Sequence, residues 1–230
     1  MAFNNVIIGE TQMRSLGLHL ASKEIGLPSI QTKTVQIPFM NGELDLTEIL
    51  SGRPHYGNRD IKMNFNSIKP HKLEKLSEVA NKFHGKKEKI FFDDDPAWYY
   101  VGRLDLNSFK DRRLGSEYTI KADCMPFKYY ITSSAEDWLW DPFDFEDGII
   151  NEFKDIVNTG TQTYTLISDE QPDFITVTTS AQVTIAFNGI SIVCPAGKTV
   201  LYEFQIEPGE NEITITGNAT LSLDYRLAKI

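Results

Sequence analysis

The chain has 230 residues, of which 41% are hydrophobic and 24% charged, proportions that exclude a disordered or fibrous protein and allow one large or two modest cores. The formal charge of −9 is unevenly spread: residues 1–134 hold 19 Lys+Arg against 16 Asp+Glu, and residues 135–230 hold 4 against 16. A second half that acidic repels nucleic acid, and its carboxylates read as a solvated surface.

Met1 to Ile8 shows no secretory signal, and no run of about 18 apolar residues predicts a spanning helix. Phe39–Arg59 is rich in Gly, Pro and polar residues between strand signals, and it is too long for a tight turn. In Arg59–Asn66 the apolar residues Ile61, Met63 and Phe65 alternate with Lys62 and Asn64, the period of a half-buried strand. Pro70 suits a first helical turn. Leu73, Leu76, Val79, Ala80 and Phe83 then recur at helical spacing, and Gly85 supplies the stop. Lys89–Phe92 and Trp98–Leu106 read as a strand pair joined by Asp93-Asp94-Asp95-Pro96. In Glu117–Cys124 the alternating set is Tyr118, Ile120, Ala122 and Cys124. The first half is therefore a sheet-based domain with one helix.

Composition shifts after Tyr130. Residues 133–148 are acidic and aromatic, with Trp138, Trp140, Phe143 and Phe145, and mark a junction between domains. From Ile149 the pattern is all-β. Strands are predicted at Thr163–Ile167, Phe174–Thr178, Gln182–Phe187, Ile190–Cys194, Thr199–Ile206, Glu212–Thr216 and Thr220–Leu227. Asn188-Gly189 is a two-residue hairpin signal, because both central positions must tolerate positive φ. Glu207-Pro208-Gly209-Glu210 reads as a turn. Short strands at this spacing make a β-sandwich. Cys124 and Cys194 fall in apolar strand-like segments, which predicts buried free thiols and a reducing compartment.

The motifs of catalysis are missing. His19, His55, His71 and His84 form no zinc spacing. Gly197-Lys198-Thr199 resembles the end of a phosphate loop, but Ile192 stands where the first glycine is required. Asp93-Asp94-Asp95 could hold calcium; a turn that keeps like charges solvated accounts for it more simply. No nucleophile elbow occurs. No catalytic, cofactor-binding or metal residue is assigned.

A series of stretches in order resembles the distal tail protein family of siphovirus-type, long-tailed bacteriophages. It consists of Asn41-Gly42-Glu43-Leu44-Asp45-Leu46-Thr47, Gly52-Arg53-Pro54-His55-Tyr56-Gly57-Asn58-Arg59, Phe83-His84-Gly85-Lys86, Phe91-Phe92-Asp93-Asp94-Asp95-Pro96, Tyr99-Tyr100-Val101-Gly102-Arg103-Leu104 and Cys124-Met125-Pro126-Phe127-Lys128-Tyr129. Pro208-Gly209-Glu210-Asn211-Glu212-Ile213 and Asp224-Tyr225-Arg226 fit the galectin-like sandwich that family members carry second.

The resemblance implies a mainly β protein with one clear α-helix. Residues 1–132 would form an N-terminal, β-sandwich-like ring domain with a helix and an extended arm. Residues 133–148 would be the junction, and 149–230 the galectin-like β-sandwich. It implies a structural baseplate-hub subunit of the virion tail tip, made and assembled in the host cytoplasm. Six copies would form a ring joining the tail tube protein to the tail-associated fibre or lysin protein and to receptor-binding or baseplate proteins. DNA would pass through as cargo only, with no membrane insertion, no cofactor and no enzymatic activity.

A cyclic ring needs two different patches on each copy. Phe39–Arg59 is read as an arm reaching the neighbouring subunit, with Arg53, Tyr56, Asn58 and Arg59 as candidate interface residues of types enriched at contacts. The same residues could instead tie the loop to its own domain. The rival function is a carbohydrate-binding module, in which Trp138 and Trp140 would stack on sugar rings. A glycan-cleaving enzyme is the third reading.

Overall fold

The computed structural model describes residues 5–49, 52–69, 73–135, 153–168, 175–204 and 206–230. The chain divides into two compact units, Met1–Lys128 with Ile230, and Tyr129–Lys229. Pro70, His71 and most of the aromatic junction, including Trp138 and Trp140, lie outside the described residues.

The first unit contains β1 (Val6–Ile8), β2 (Thr11–Gln12), β3 (Leu18–Ile25), β4 (Thr34–Val35), β5 (Leu44–Asp45), β6 (Arg59–Ser67), α1 (Leu73–Phe83), β7 (Lys87–Phe92), β8 (Trp98–Arg112) and β9 (Gly115–Cys124). Its main sheet runs β2-β1-β7-β8-β9-β6-β3, while β4 and β5 pair with each other. The alternation in β6 and β9 puts Ile61 opposite Ala122, Met63 opposite Ile120 and Phe65 opposite Tyr118. All six are buried in one core. Each large apolar side chain removed from water in this way contributes about 1.5–3 kcal/mol.

The sheet is strongly curled. Strands β3 and β7 stand four places apart in the order, so a flat sheet would separate them by about 19 Å. Yet the Lys23 ammonium on β3 lies 4.3 Å from the ring centre of Phe92 on β7, and it pairs with Asp94 just beyond. The flanks of a single sheet thus face each other across the core, which gives the sandwich-like form.

Helix α1 places Val79 and Phe83 in the core, with Leu76 packed against it. Gly85 ends it at φ 78°, and its N–H donates to the carbonyl of Leu104 on β8. Leu73 departs from the expected apolar stripe: it opens the helix at 72% exposure.

The second unit begins within β10 (Lys128–Tyr130). It continues with β11 (Ile156–Asn158), β12 (Thr161–Ser168), β13 (Ile175–Thr179), β14 (Val183–Phe187), β15 (Ile190–Cys194), β16 (Gly197–Leu201), β17 (Gly209–Thr216), β18 (Ala219–Asp224) and β19 (Ala228–Lys229). Strands β10 and β19 pair. The others form two four-stranded sheets, β11-β18-β13-β16 and β12-β17-β14-β15. Val177, Leu221 and Leu223 from one sheet share a buried cluster with Leu166, Ile185, Ile213 and Ile215 from the other. Two sheets burying one core between them make a β-sandwich. Asn188 and Gly189 take φ 47° and 80° between β14 and β15, as a tight hairpin requires.

The strand expected over Thr199–Ile206 is shorter. It leaves the sheet after Leu201, although Phe204 and Ile206 return to the core. Likewise β18 ends at Asp224, with Tyr225 and Leu227 buried beyond it. Among the described residues, no helix is long and apolar enough to cross a membrane.

Candidate subunit interface

The arm starts earlier than the composition suggested. Between Ile25, the end of β3, and Arg59, the start of β6, the chain makes one excursion away from the sheet. Its two legs run side by side at the root: the Gln31 N–H donates to the carbonyl of His55, and that of Gly57 to the carbonyl of Ser29, at 2.8 and 2.7 Å. A Cβ at position 57 would stand 2.6 Å from the Ser29 hydroxyl, which would have to rotate away, and 3.6 Å from the Ser29 carbonyl oxygen. Further out, β4 and β5 pair Thr34 with Asp45 and Val35 with Leu44. The Asp45 carboxylate accepts hydrogen bonds from the hydroxyl and the N–H of Thr47, which lower its pKa.

This hairpin has no core of its own. Every residue from Gln31 to Asp45 is exposed. Of the 18 exposed large hydrophobic residues described in the chain, eight lie between Leu27 and Ile49. Phe39, at the outer turn, is as open as in an extended peptide (109%) and adopts φ 70°. A two-stranded hairpin is at best marginal alone in water. The hairpin thus leaves Val35, Ile37, Phe39, Met40 and Leu44 open to solvent.

Of the four residues singled out from the sequence, none lies on the outer hairpin. Tyr56 sits at the root, its ring edge-on to Phe127 with centres 5.9 Å apart. The Asn58 side-chain amide donates to the Asp123 carboxylate at 2.9 Å. Arg59 is 2% exposed and stacks over Tyr100 inside the first unit. Arg53 is half-buried on the return leg. The contacts of Tyr56, Asn58 and Arg59 are therefore to their own domain, whereas the outer arm offers Val35, Ile37, Phe39 and Met40. Val35 and Ile37 lie before the Phe39–Arg59 stretch, where apolar residues without period give no sign of their exposure.

The three carboxylates of the Asp93–Asp95 turn diverge. Asp93 accepts the Asn5 N–H at 2.7 Å, Asp94 pairs with Lys23, and Asp95 pairs with Lys128 at 2.6 Å. They tie the turn to three different places. A polar concavity of about 460 Å³ on the outward sheet face is lined by Asn64, Asn66, Asn107, Ser108 and Thr119 among others. Asn64 already donates to Ser22 and accepts from Thr119 there. Cys124 and Cys194 are buried and unbridged, and burial pushes the Cys124 thiol up to about 12 and that of Cys194 upward. Neither is a ready nucleophile.

A curled N-terminal sheet carrying α1 and an arm, followed by a β-sandwich, defines a class of two-unit β proteins. The crystal structure of Dit, a hub adsorption apparatus protein of phage SPP1, which infects Gram-positive bacteria, has this fold: it superposes with a TM-score of 0.60 at 12% identity, over 99% of each chain. The family that the sequence resembles and the fold match agree. No protein-family model and no curated protein matches the chain.

Proposed function

We propose that this chain is a structural subunit of a phage tail tip. In this reading six copies form a ring through their first units. The ring joins the tail tube protein on one side to the tail-associated fibre or lysin protein on the other, and DNA crosses it as cargo. The second unit, a galectin-like sandwich, points toward receptor-binding or baseplate proteins. The particle is assembled in the host cytoplasm and the subunit works by contact, without catalysis.

The observation that carries this reading is the outer arm: a stretch of exposed apolar side chains on a fold shared along its whole length with a hub protein. A permanent interface buries about 2,000 Å² or more and is apolar at its centre, and such an arm supplies that centre. The arm is expected to reach the next subunit, with Arg53 and Tyr56 holding its root at the correct angle. Gold-labelled antibody against the purified chain should decorate the far end of the tail on virions made by the host strain. Label on the head or along the tube instead would refute the assignment.

A further inference from the structure

We propose that the outer arm of one copy docks on the opposite end of the first unit of the next copy, on a patch built from Ile68 and Leu114. This rests on the ring reading above and adds which surfaces meet. The arm enters the sheet at Arg59, the first residue of β6. Strand β6 then runs nine residues to Ser67, a rise of about 27 Å. At that far end the Ser116 N–H donates to the Ser67 hydroxyl at 2.8 Å, which seats the β8–β9 turn against the end of β6. Ile68 follows immediately at 75% exposure, and Leu114 stands in the turn at 87%. Leu73 opens α1 only five residues beyond Ile68, equally open to water.

The two ends of one unit therefore carry two different apolar surfaces. Their charges are also opposite. Residues 33–49 of the arm hold Lys33 against Glu43, Asp45 and Glu48, whereas residues 110–117 at the β8–β9 end hold Lys110, Arg112 and Arg113 against Asp111 and Glu117, with Arg112 paired to Glu117 at 2.8 Å. Unlike charges around paired apolar centres steer the right surfaces together and keep two arms apart. A donor patch at one end and a receiving patch at the other make a head-to-tail contact, the type that closes into a ring when the rotation allows. The occupant of the Ile68–Leu114 patch is thus a second copy of this chain.

Two variants of the full chain separate the halves of the contact. Phe39→Ser with Met40→Ser blunts the arm; Ile68→Glu with Leu114→Glu blunts the receiving end. All four side chains are exposed, so circular dichroism should match the parent. Each variant alone should self-associate about ten- to a hundred-fold more weakly and sediment as a monomer. Mixed, they should form a dimer and nothing larger, because each still offers the half the other lacks. Should a variant fail to fold, cross-linking decides: Met40→Cys mixed with Leu114→Cys should give an oxidised heterodimer that neither forms alone, the native thiols being buried. A parent oligomer that survives both sets of substitutions, or a mixture without the heterodimer, overturns the docking and leaves the ring standing. A parent chain that stays monomeric throughout, with purified tail tubes added as well as alone, overturns the ring reading itself.

Discussion

The guanidinium of Arg59 lies 5.4 Å from the ring centre of Tyr100, inside the curled sheet and directly below the root of the arm. Its Nε and Nη2 have no hydrogen-bond partner among the described residues. Burial raises the pKa of the Tyr100 hydroxyl, and the neighbouring Arg59 charge partly offsets that rise. A buried cation this sparsely paired contributes little net stability, since desolvation opposes its attractions. Arg59→Met should therefore change stability by less than about 1 kcal/mol, while Arg59→Ala, which leaves a void, should cost about 2–4 kcal/mol. Urea unfolding measures both. Neither substitution should alter the oligomeric mass, because the side chain faces its own core.

Gly102 on β8 has no room for a methyl group. A Cβ there would stand 2.4 Å from the Cys124 sulfur, 2.9 Å from the Asp123 carbonyl oxygen and 3.0 Å from the Cys124 Cα. Gly102→Ala should destabilise the first unit by about 1–3 kcal/mol in chemical unfolding. Adding Cys124→Ala should not restore it, because two of the three clashing atoms belong to the backbone.

Asn211 holds the turn that leads into β17. Its side-chain oxygen accepts the Glu207 N–H at 3.0 Å, and its amide donates to the carbonyls of Glu207 and Gly209 at 2.7 and 3.1 Å. Asn211→Ala strips three partners at once from a buried position and should cost about 1–3 kcal/mol. The loss should appear as a lower melting temperature without change in the sheet signal of circular dichroism at room temperature.

Alkaline solution should unfold the chain through its buried acids. Burial pushes Tyr118 and Cys124 up to about 12, and it also raises Tyr225 and Cys194. In each case the folded state prefers the protonated form. The stabilisation is complete below the ordinary values of 9 for the thiols and 10 for the tyrosines, and it is lost as pH rises toward 12. Melting temperatures should be insensitive to these groups between pH 6 and 8 and fall steeply between 9 and 12. Tyr225→Phe should flatten part of that fall, at the cost of the bond from its hydroxyl to the Ile167 carbonyl.

Where a single local rule ran unbroken, the elements were legible. Strands β6 and β9 alternate cleanly, α1 keeps its helical spacing from Leu76 to Phe83, and Asn188-Gly189 marks its hairpin without help from packing. Strand β3 was hidden because a bulge between Leu20 and Ser22 shifts its phase. The same device between Leu106 and Ser108 conceals the outer part of β8, which runs on to Arg112 past the expected end at Leu106. Composition pointed to the arm region, while the exposed apolar side chains concentrate in its outer part. Arg53, Tyr56, Asn58 and Arg59 have the chemistry of interface anchors; Arg59 is buried over Tyr100, Tyr56 packs half-buried on Phe127, and Asn58 bonds Asp123 at the surface. No period in the sequence around Phe39 or Leu114 marks them as open to solvent; the fold does.

The claim that this protein acts by assembling with copies of itself is tested most directly by its native mass in solution. A discrete particle of six 26.1 kDa chains is the predicted result. A chain that remains single at every concentration, and does not join when purified tail tubes are added, would contradict it.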